Sequence, residues 1–130
     1  MEQPKFEVLV LGIVFDPLTR KVLIGRREND LVEWCFPGGR LLEGENLDDA
    51  LKRNIKKKTG YDVKNIGTFF ADNCGKAGKV QVMFLTKVFE GEEEAGDDIV
   101  ELKWISPKEV EGCFGDLLHK KLKEFLLELV

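Results

Sequence analysis

The chain has 130 residues, of which 43% are hydrophobic and 34% are charged, and its formal net charge is −4. This length and composition are typical of one globular domain, residues 1–130, that buries a core without disulfides or a structural metal. The negative charge argues against a protein that binds nucleic acid through bulk electrostatics. The longest apolar stretch, residues 8–15, is too short to cross a membrane.

The N-terminal residues and the cysteines bear on the compartment. Residues 1–5 lack the basic-then-apolar order of a signal peptide. Cys35, Cys74 and Cys113 are odd in number and far apart, and they form no Cys-x-x-Cys or Cys/His ligand pattern. That usage favours a reducing compartment and disfavours a zinc site. We therefore expect a cytoplasmic protein.

The predicted elements begin with β structure. Residues 6–15 form an apolar run that predicts a buried strand, and residues 21–26 predict the returning strand of a hairpin after the turn residues 16–20. Residues 34–36 predict a short aromatic strand. We expect a loop after it, because Pro37 blocks ladder pairing and the next two glycines permit tight backbone conformations.

The clearest predicted helix covers residues 47–59. Apolar residues recur at helical spacing from Leu47 to Ile55, Asn46 is the expected N-cap, and Gly60 ends the helix. Residues 61–70 and 80–89 predict two strands that pair with each other. An acidic segment follows, then a strand at 99–106, a helix start at Pro107, and an apolar helical stripe that runs from Leu117 to Leu129.

One segment, from Pro37 to Tyr61, carries a motif. It aligns without a gap to the box of the Nudix (MutT-like) hydrolase family, G-x5-E-x7-R-E-U-x-E-E-x-G-U, in which U is a bulky apolar residue. The matching residues are Gly39, Glu45, Arg53, Ile55, Gly60 and Tyr61. The aromatic-x-Pro-Gly-Gly entry before the box and an acid-then-Trp strand at Glu101–Trp104 extend the similarity. The resemblance implies an α/β fold, a Nudix-type α/β/α sandwich around a mixed β-sheet.

Three positions depart from that box. In the family, the glutamates after the arginine hold divalent metal ions, whereas this chain has Asn54, Lys57 and Lys58 there. At about 100° per residue these positions fall on one helix face. A dication and an ammonium about 4 Å apart repel by roughly 8 kcal/mol at an effective dielectric near 20, and an ammonium has no lone pair to donate. The resemblance therefore predicts a degenerate box with a basic face.

Our first hypothesis is a binding protein for a nucleotide or another diphosphate-containing small anion, with pyrophosphohydrolase activity lost or strongly reduced. Lys57 and Lys58, with Arg53 and Gly39 nearby, would hold the phosphates in place of a metal. The lysine run also suits a solvated helix end, where positive charge favours the helix dipole. In the family, Arg53 and Glu45 largely organise the loop and the helix.

Two further hypotheses remain open. The second is a Mg- or Mn-dependent hydrolase of a nucleoside diphosphate linked to another moiety, with relocated carboxylates. Its candidate metal ligands are Glu45, Asp97, Asp98 and Glu101, together with the carbonyl of Gly39, a ligand by family resemblance. Glu101 is also the catalytic candidate, because family members often place an acid in this region. The third is a non-catalytic interaction module, including a homodimer.

The acidic segment and the aromatic residues each allow more than one interpretation. The acidic segment suits a solvated loop, an internal counter-charge for the helix lysines, or a source of metal ligands. The aromatic side chains suit a nucleobase stack, although residues of this kind on strands are more often core. The aromatic residues concerned are Trp34, Phe36, Phe69, Phe70 and Trp104.

Overall fold

The computed structural model describes residues 5–28, 34–73, 78–114 and 119–129, and it describes Phe69 by its backbone alone. The expectations for residues 1–4, for Cys74, for Leu117 and Leu118 and for the Phe69 side chain lie outside the described residues.

Seven strands and three α-helices form in the described residues. The strands are β1 (Glu7–Asp16), β2 (Lys21–Arg27), β3 (Trp34–Cys35), β4 (Gly38–Arg40), β5 (Tyr61–Asp72), β6 (Lys79–Gly91) and β7 (Ile99–Ile105). The helices are α1 (Leu47–Thr59), α2 (Val110–Phe114) and α3 (Lys120–Glu128), with a 3-10 helix at Pro107–Glu109. No described helix is long and apolar enough to cross a membrane.

The strands form one mixed sheet. Strand β1 runs parallel to β6 and antiparallel to β2 and β4. Strand β2 also pairs with β3 and β7, and β5 pairs with β6, all antiparallel. The predicted hairpin and the predicted pairing of residues 61–70 with 80–89 are confirmed.

Helices cover both faces of the sheet, because side chains alternate along each strand. Val10, Val14 and Leu23 pack with Leu51 and Ile55 of α1 in one buried cluster. On the opposite face a second cluster joins residues of β1, β2 and β6 to the C-terminal helices. Its buried members are Ile13, Val22, Ile24, Phe36, Met83, Ile105, Val110, Leu122 and Leu126. This arrangement confirms the predicted α/β sandwich around a mixed sheet.

Strand β4 corrects one expectation. The Pro-Gly-Gly segment was expected to be a loop, but Gly38–Arg40 pairs antiparallel with Leu9–Leu11 of β1. A Cβ at Gly38 would overlap the carbonyl oxygen of Val10, so the missing side chain permits this close approach. The pairing fixes the entry to α1 against the centre of the sheet.

Helix α1 has the predicted bounds, and local chemistry accounts for both ends. At the start, the Asn46 side chain accepts a hydrogen bond from the Asp49 N–H at 2.8 Å. At the end, Gly60 adopts φ +81°, in the left-handed region, and its N–H bonds to the Lys56 carbonyl. Within these bounds, Asn54 lies on the helix face that packs against β4.

Candidate functional site

A cleft of about 470 Å³ lies between β4, the C-terminal half of α1 and the residues before β7. Basic side chains outnumber acidic ones in its described lining. The basic residues are Arg27, Arg40, Arg53, Lys57, Lys58 and Lys79, and the acidic ones are Glu7, Asp97 and Asp98. We call it the basic cleft. Gly39 and Asn54 also line it, so the structure brings the box positions together.

Asn54 lies on the buried face of α1, where the helix packs against β4. It is 5% exposed, and its Nδ2 donates to the carbonyl oxygens of Ala50 at 2.9 Å and Arg40 at 3.3 Å. A Cβ at Gly39 would overlap the Asn54 side chain. The amide therefore ties the helix to the glycine strand, and its donors are already used within the protein.

Two lysines on the next turn face carboxylates across the cleft. Lys58 is only 7% exposed, and its Nζ lies 3.4 Å from Oδ1 of Asp98. Lys57 is more exposed, with its Nζ 3.6 Å from Oδ1 of Asp97. Arg27 reaches Asp98 from β2, with 3.3 Å between its Nε and Oδ2. These are ion pairs at distances longer than a tight charge-assisted hydrogen bond.

The acidic segment was predicted at residues 90–98, and its part after β6, residues 92–98, is attached to the C-terminal end of α1. The N–H of Glu94 donates to the Thr59 carbonyl at 2.8 Å, and that of Gly96 donates to the Lys58 carbonyl at 3.1 Å. These bonds satisfy carbonyl groups that a helix end otherwise leaves free. Asp97 has φ +55°, a left-handed conformation that aspartate tolerates better than most residues. Of the interpretations of this segment, the contacts favour an internal counter-charge for Asp97 and Asp98.

Glu45 and Arg53 form a closed pair at the edge of the cleft. Arg53 donates from Nε to Glu45 Oε2 at 2.8 Å, from Nη2 to Oε1 at 3.0 Å, and from Nη2 to the Arg40 carbonyl at 3.0 Å. Glu45 Oε1 also accepts the Leu42 N–H at 3.1 Å. The hydrogen bond from Arg53 is the main cause that lowers the pKa of Glu45, and the bond from the Leu42 N–H lowers it further. The hydrogen bond to Glu45 in turn raises the pKa of Arg53. The pair organises the loop before α1.

This pair makes stability depend on pH. Because the pKa of Glu45 is lowered on folding, its stabilising effect is complete above the ordinary value of about 4.3 and is lost as the pH falls through the folded value. Glu45→Gln is therefore expected to melt several degrees lower at neutral pH, with the difference shrinking as the pH falls below about 4. Thermal melts across this range measure it, with Glu43→Gln, an exposed loop carboxylate, as the control. A difference that is constant with pH would contradict the assignment.

Glu101 lies apart from the other candidate acids. It is opposite Arg26 in the β2–β7 register, and Arg26 Nε donates to its Oε1 at 2.9 Å. Its side chain is half exposed, and it does not line the basic cleft. The candidate metal ligands therefore lie in three different places. Asp97 and Asp98 face the lysines of α1, and Glu45 is bound by Arg53. Glu101 of β7 is bound by Arg26 of β2.

The residues in the basic cleft do not fit a divalent cation of the kind that the family resemblance implies. The Lys58 ammonium, almost buried, stands where such an ion would need an electron-pair donor. The carboxylates that line the cleft, those of Glu7, Asp97 and Asp98, are paired with cations. Among the described residues, no three His, Cys, Asp or Glu side chains converge in a way that would hold a metal.

A second, apolar cleft of about 290 Å³ adjoins the basic one. The two share Leu9 and Arg27. Aromatic side chains from β3, from the residue that follows it and from α2 form part of the lining, together with residues of β6. Those aromatic and β6 residues are Trp34, Phe36, Phe114, Gln81 and Met83. We call it the apolar cleft.

Sequence reasoning identified two of the aromatic residues in the apolar cleft but missed Gln81. Gln81 is a polar residue on the same strand face as Met83, and it is half-buried beside apolar neighbours. A glutamine within the apolar run of residues 80–85 was the available signal. Trp104 lies on the opposite face of the sheet, where it packs edge-on to Tyr61 and donates to Glu93 at 2.7 Å.

Comparison with known proteins identifies the family of this chain. The NUDIX domain family model matches residues 5–129. An ADP-ribose pyrophosphatase of Methanocaldococcus jannaschii is 34% identical over 90 residues, which cover 65% of this chain and 53% of that protein. A putative 8-oxo-dGTP diphosphatase of Bacillus subtilis is 30% identical over 90 residues, which cover 68% of this chain and 60% of that protein. The matches thus span little more than half the length of these relatives.

Solved structures show the same fold. A MutT structure, from work on Aliivibrio salmonicida and Vibrio cholerae, matches with a TM-score of 0.83 at 18% identity, covering 97% of this chain and 100% of that one. A NUDIX hydrolase from Nitrosomonas europaea matches with a TM-score of 0.82 at 18% identity, covering 98% of this chain and 73% of that one. Because the family model matches almost the whole chain, this protein belongs to the NUDIX domain family.

Proposed function

We propose that this chain binds the diphosphate of a nucleotide-like ligand without a divalent metal, and that pyrophosphohydrolase activity is lost or strongly reduced. The observation that carries the proposal is the nearly buried Lys58 ammonium beside Lys57 in the basic cleft. These fixed positive charges stand on the helix face where family members hold metal ions through glutamates. They attract phosphate oxygens, but they cannot activate a water molecule as a bound dication does.

The adjoining clefts support a nucleotide as the ligand class. A diphosphate in the basic cleft would lie next to Leu9 and Arg27, which also line the apolar cleft. Trp34 of β3 is partly buried in the lining of the apolar cleft, with Lys103 Nζ 5.8 Å from its ring centroid, and its ring could pack against a heterocyclic base there. The names of two relatives point in the same direction, since ADP-ribose and 8-oxo-dGTP both contain a base and linked phosphates.

The relocated-carboxylate hypothesis receives less support. Its four candidate acids are each engaged by a cation: Glu45 by Arg53, Asp97 by Lys57, Asp98 by Lys58 and Arg27, and Glu101 by Arg26. A metal site would have to break several of these pairs and still accommodate the lysines. The homodimer and the cytoplasmic location remain predictions from sequence.

Isothermal titration of ADP-ribose and ADP tests the proposal, once with EDTA and once with Mg²⁺ or Mn²⁺. We expect binding in EDTA, with affinities within about threefold of those in metal. Metal-dependent binding would favour the relocated-carboxylate enzyme, and no binding would favour the interaction module. Turnover of ADP-ribose or a nucleoside triphosphate faster than roughly 1 s⁻¹ with either metal would contradict the loss of hydrolysis.

A further inference from the structure

Three carboxylates of the described residues line the basic cleft, and two of them, Asp97 and Asp98, face the lysines of α1. The carboxylates of Asp97 and Asp98 are consecutive in sequence, and each is paired with a different lysine of α1. Asp98 is also paired with Arg27. The positions of these carboxylates therefore mark two neighbouring places in the cleft at which negative charge is favoured.

In these two ion pairs, a bound anion can take the place of the aspartate carboxylate. Their N–O distances of 3.6 and 3.4 Å are longer than the 2.8 Å of the Arg53–Glu45 pair at the edge of the same cleft. The aspartate side chains are well exposed, at 39% and 48%, so solvent can receive them when they move. Lys58, in contrast, is almost buried and cannot follow its partner into water. An incoming anion therefore competes with the aspartates for the two lysines, of which Lys58 is held in place by burial and Lys57 is more than half exposed.

The backbone contacts hold the acidic segment in place during such an exchange. The Glu94 and Gly96 amides are bonded to carbonyls at the end of α1, and Ile99 N–H bonds to the Gly96 carbonyl at 3.0 Å. The aspartate side chains can rotate away while the segment stays attached. The carboxylates remain next to the cleft at a high effective concentration, so they compete with every ligand.

We propose that Asp97 and Asp98 are specificity-determining residues that occupy two phosphate subsites, one at Lys57 and one at Lys58 and Arg27. This inference rests on the proposed function and names its ligand class as an anion with two linked phosphate groups. A diphosphate displaces both carboxylates in one binding event. A single phosphate displaces one carboxylate, and the other continues to neutralise its lysine.

Metal-free titration of pyrophosphate and orthophosphate into the intact chain tests the two subsites. The variants are Asp97→Asn, Asp98→Asn and the double variant, with Glu94→Gln as the matched control. Glu94→Gln removes the same single charge from the same segment as each single aspartate variant, but Glu94 does not line the basic cleft. For pyrophosphate we expect each single variant to bind about fivefold tighter than the control, and the double variant about 25-fold tighter.

Orthophosphate binding distinguishes the effect of two separate subsites from the effect of a changed net charge. Orthophosphate fills only one subsite. The double variant is therefore expected to bind orthophosphate no more tightly than the better single variant does, about fivefold tighter than the control. Gains that multiply equally for both anions would overturn the two-subsite inference. Asn at position 98 keeps an oxygen that accepts from Lys58. If Asp98→Asn lowers the melting temperature, the test rests on Asp97→Asn, whose lysine is more exposed. The inference then requires that Asp97→Asn bind pyrophosphate about fivefold tighter than the control.

The outcomes also distinguish this inference from the proposed function. Pyrophosphate binding by the unaltered chain, with variants no tighter than Glu94→Gln, would overturn the inference and leave the proposed function intact. Binding seen in the aspartate variants alone would support complete competition by the carboxylates. Absence of pyrophosphate binding in every form would overturn both.

Discussion

Replacing Lys57 and Lys58 together with methionine is expected to weaken metal-free pyrophosphate binding by roughly a hundredfold. Each ammonium donates charge-assisted hydrogen bonds to phosphate, worth about 1.5–3 kcal/mol when well formed. We expect the loss of both ammonium groups to cost about 3 kcal/mol of binding free energy, because Lys57 is more than half exposed and its charge is partly screened by solvent. Methionine keeps the length and the apolar character of the lysine stem, so the packing of position 58 is preserved.

The control for this variant lies on the same helix. Lys52 pairs with Asp48 at 2.8 Å and Lys56 with Asp62 at 3.0 Å, and neither lysine lines the basic cleft. Lys52→Met with Lys56→Met changes the net charge by the same amount. If both double variants lost affinity equally, binding would depend on the overall charge of the chain and the assignment of the cleft would be wrong.

The ends of α1 could be predicted because their signals are local. Asn46 lies three residues before the amide it caps, and Gly60 adopts the left-handed conformation that its position requires. The box register placed Gly39 and Asn54 at one site for the same reason: a fixed spacing within one loop and one helix. Short-range chemistry of this kind is readable from sequence.

The features that sequence did not predict depend on contacts between distant segments. Strand β4 forms because Gly38 meets Val10, nearly thirty residues earlier, and nothing in the Pro-Gly-Gly segment itself specifies that partner. The register of β2 with β7 places Glu101 opposite Arg26 and away from the basic cleft. A strand register is set by the whole sheet, so the sequence alone favoured Glu101 and did not indicate that Asp98, rather than Glu101, lines the basic cleft.

Lys57 and Lys58 are paired with Asp97 and Asp98 because the acidic segment binds at the C-terminal end of α1. Negative charge near a helix C-terminus is unfavourable, since the dipole there is also negative. The acidic segment nevertheless binds at this end of α1, through the amides of Glu94 and Gly96. The lysines offset the unfavourable charge, so the altered box positions and the acidic segment form one electrostatic unit. Changing the sign of one part is therefore expected to disturb the other.

The largest expected effect follows from reversing the charge of the helix face. In the variant Asn54→Glu, Lys57→Glu, Lys58→Glu, the described lining of the basic cleft would hold four basic and six acidic side chains. A carboxylate at position 58 would be almost buried and would face Asp98 in place of its present partner. We expect the free energy of unfolding to fall by on the order of 3 kcal/mol in EDTA, because a nearly buried charge loses its pair and meets a like charge.

Divalent metal is expected to reverse this loss, which makes the prediction specific. Three added carboxylates beside Asp97 and Asp98 supply the oxygen ligands that Mg²⁺ and Mn²⁺ prefer. At about 100 times its dissociation constant, a ligand that binds the native state alone adds about 2.7 kcal/mol. Thermal melts with and without Mn²⁺ measure the recovery. The matched variant with glutamine at the same three positions removes the lysine charges without adding carboxylates, and it should show no comparable gain in metal. An equal gain in both variants, or in the unaltered chain, would mean that metal binds elsewhere and that the charge at positions 54, 57 and 58 does not control it.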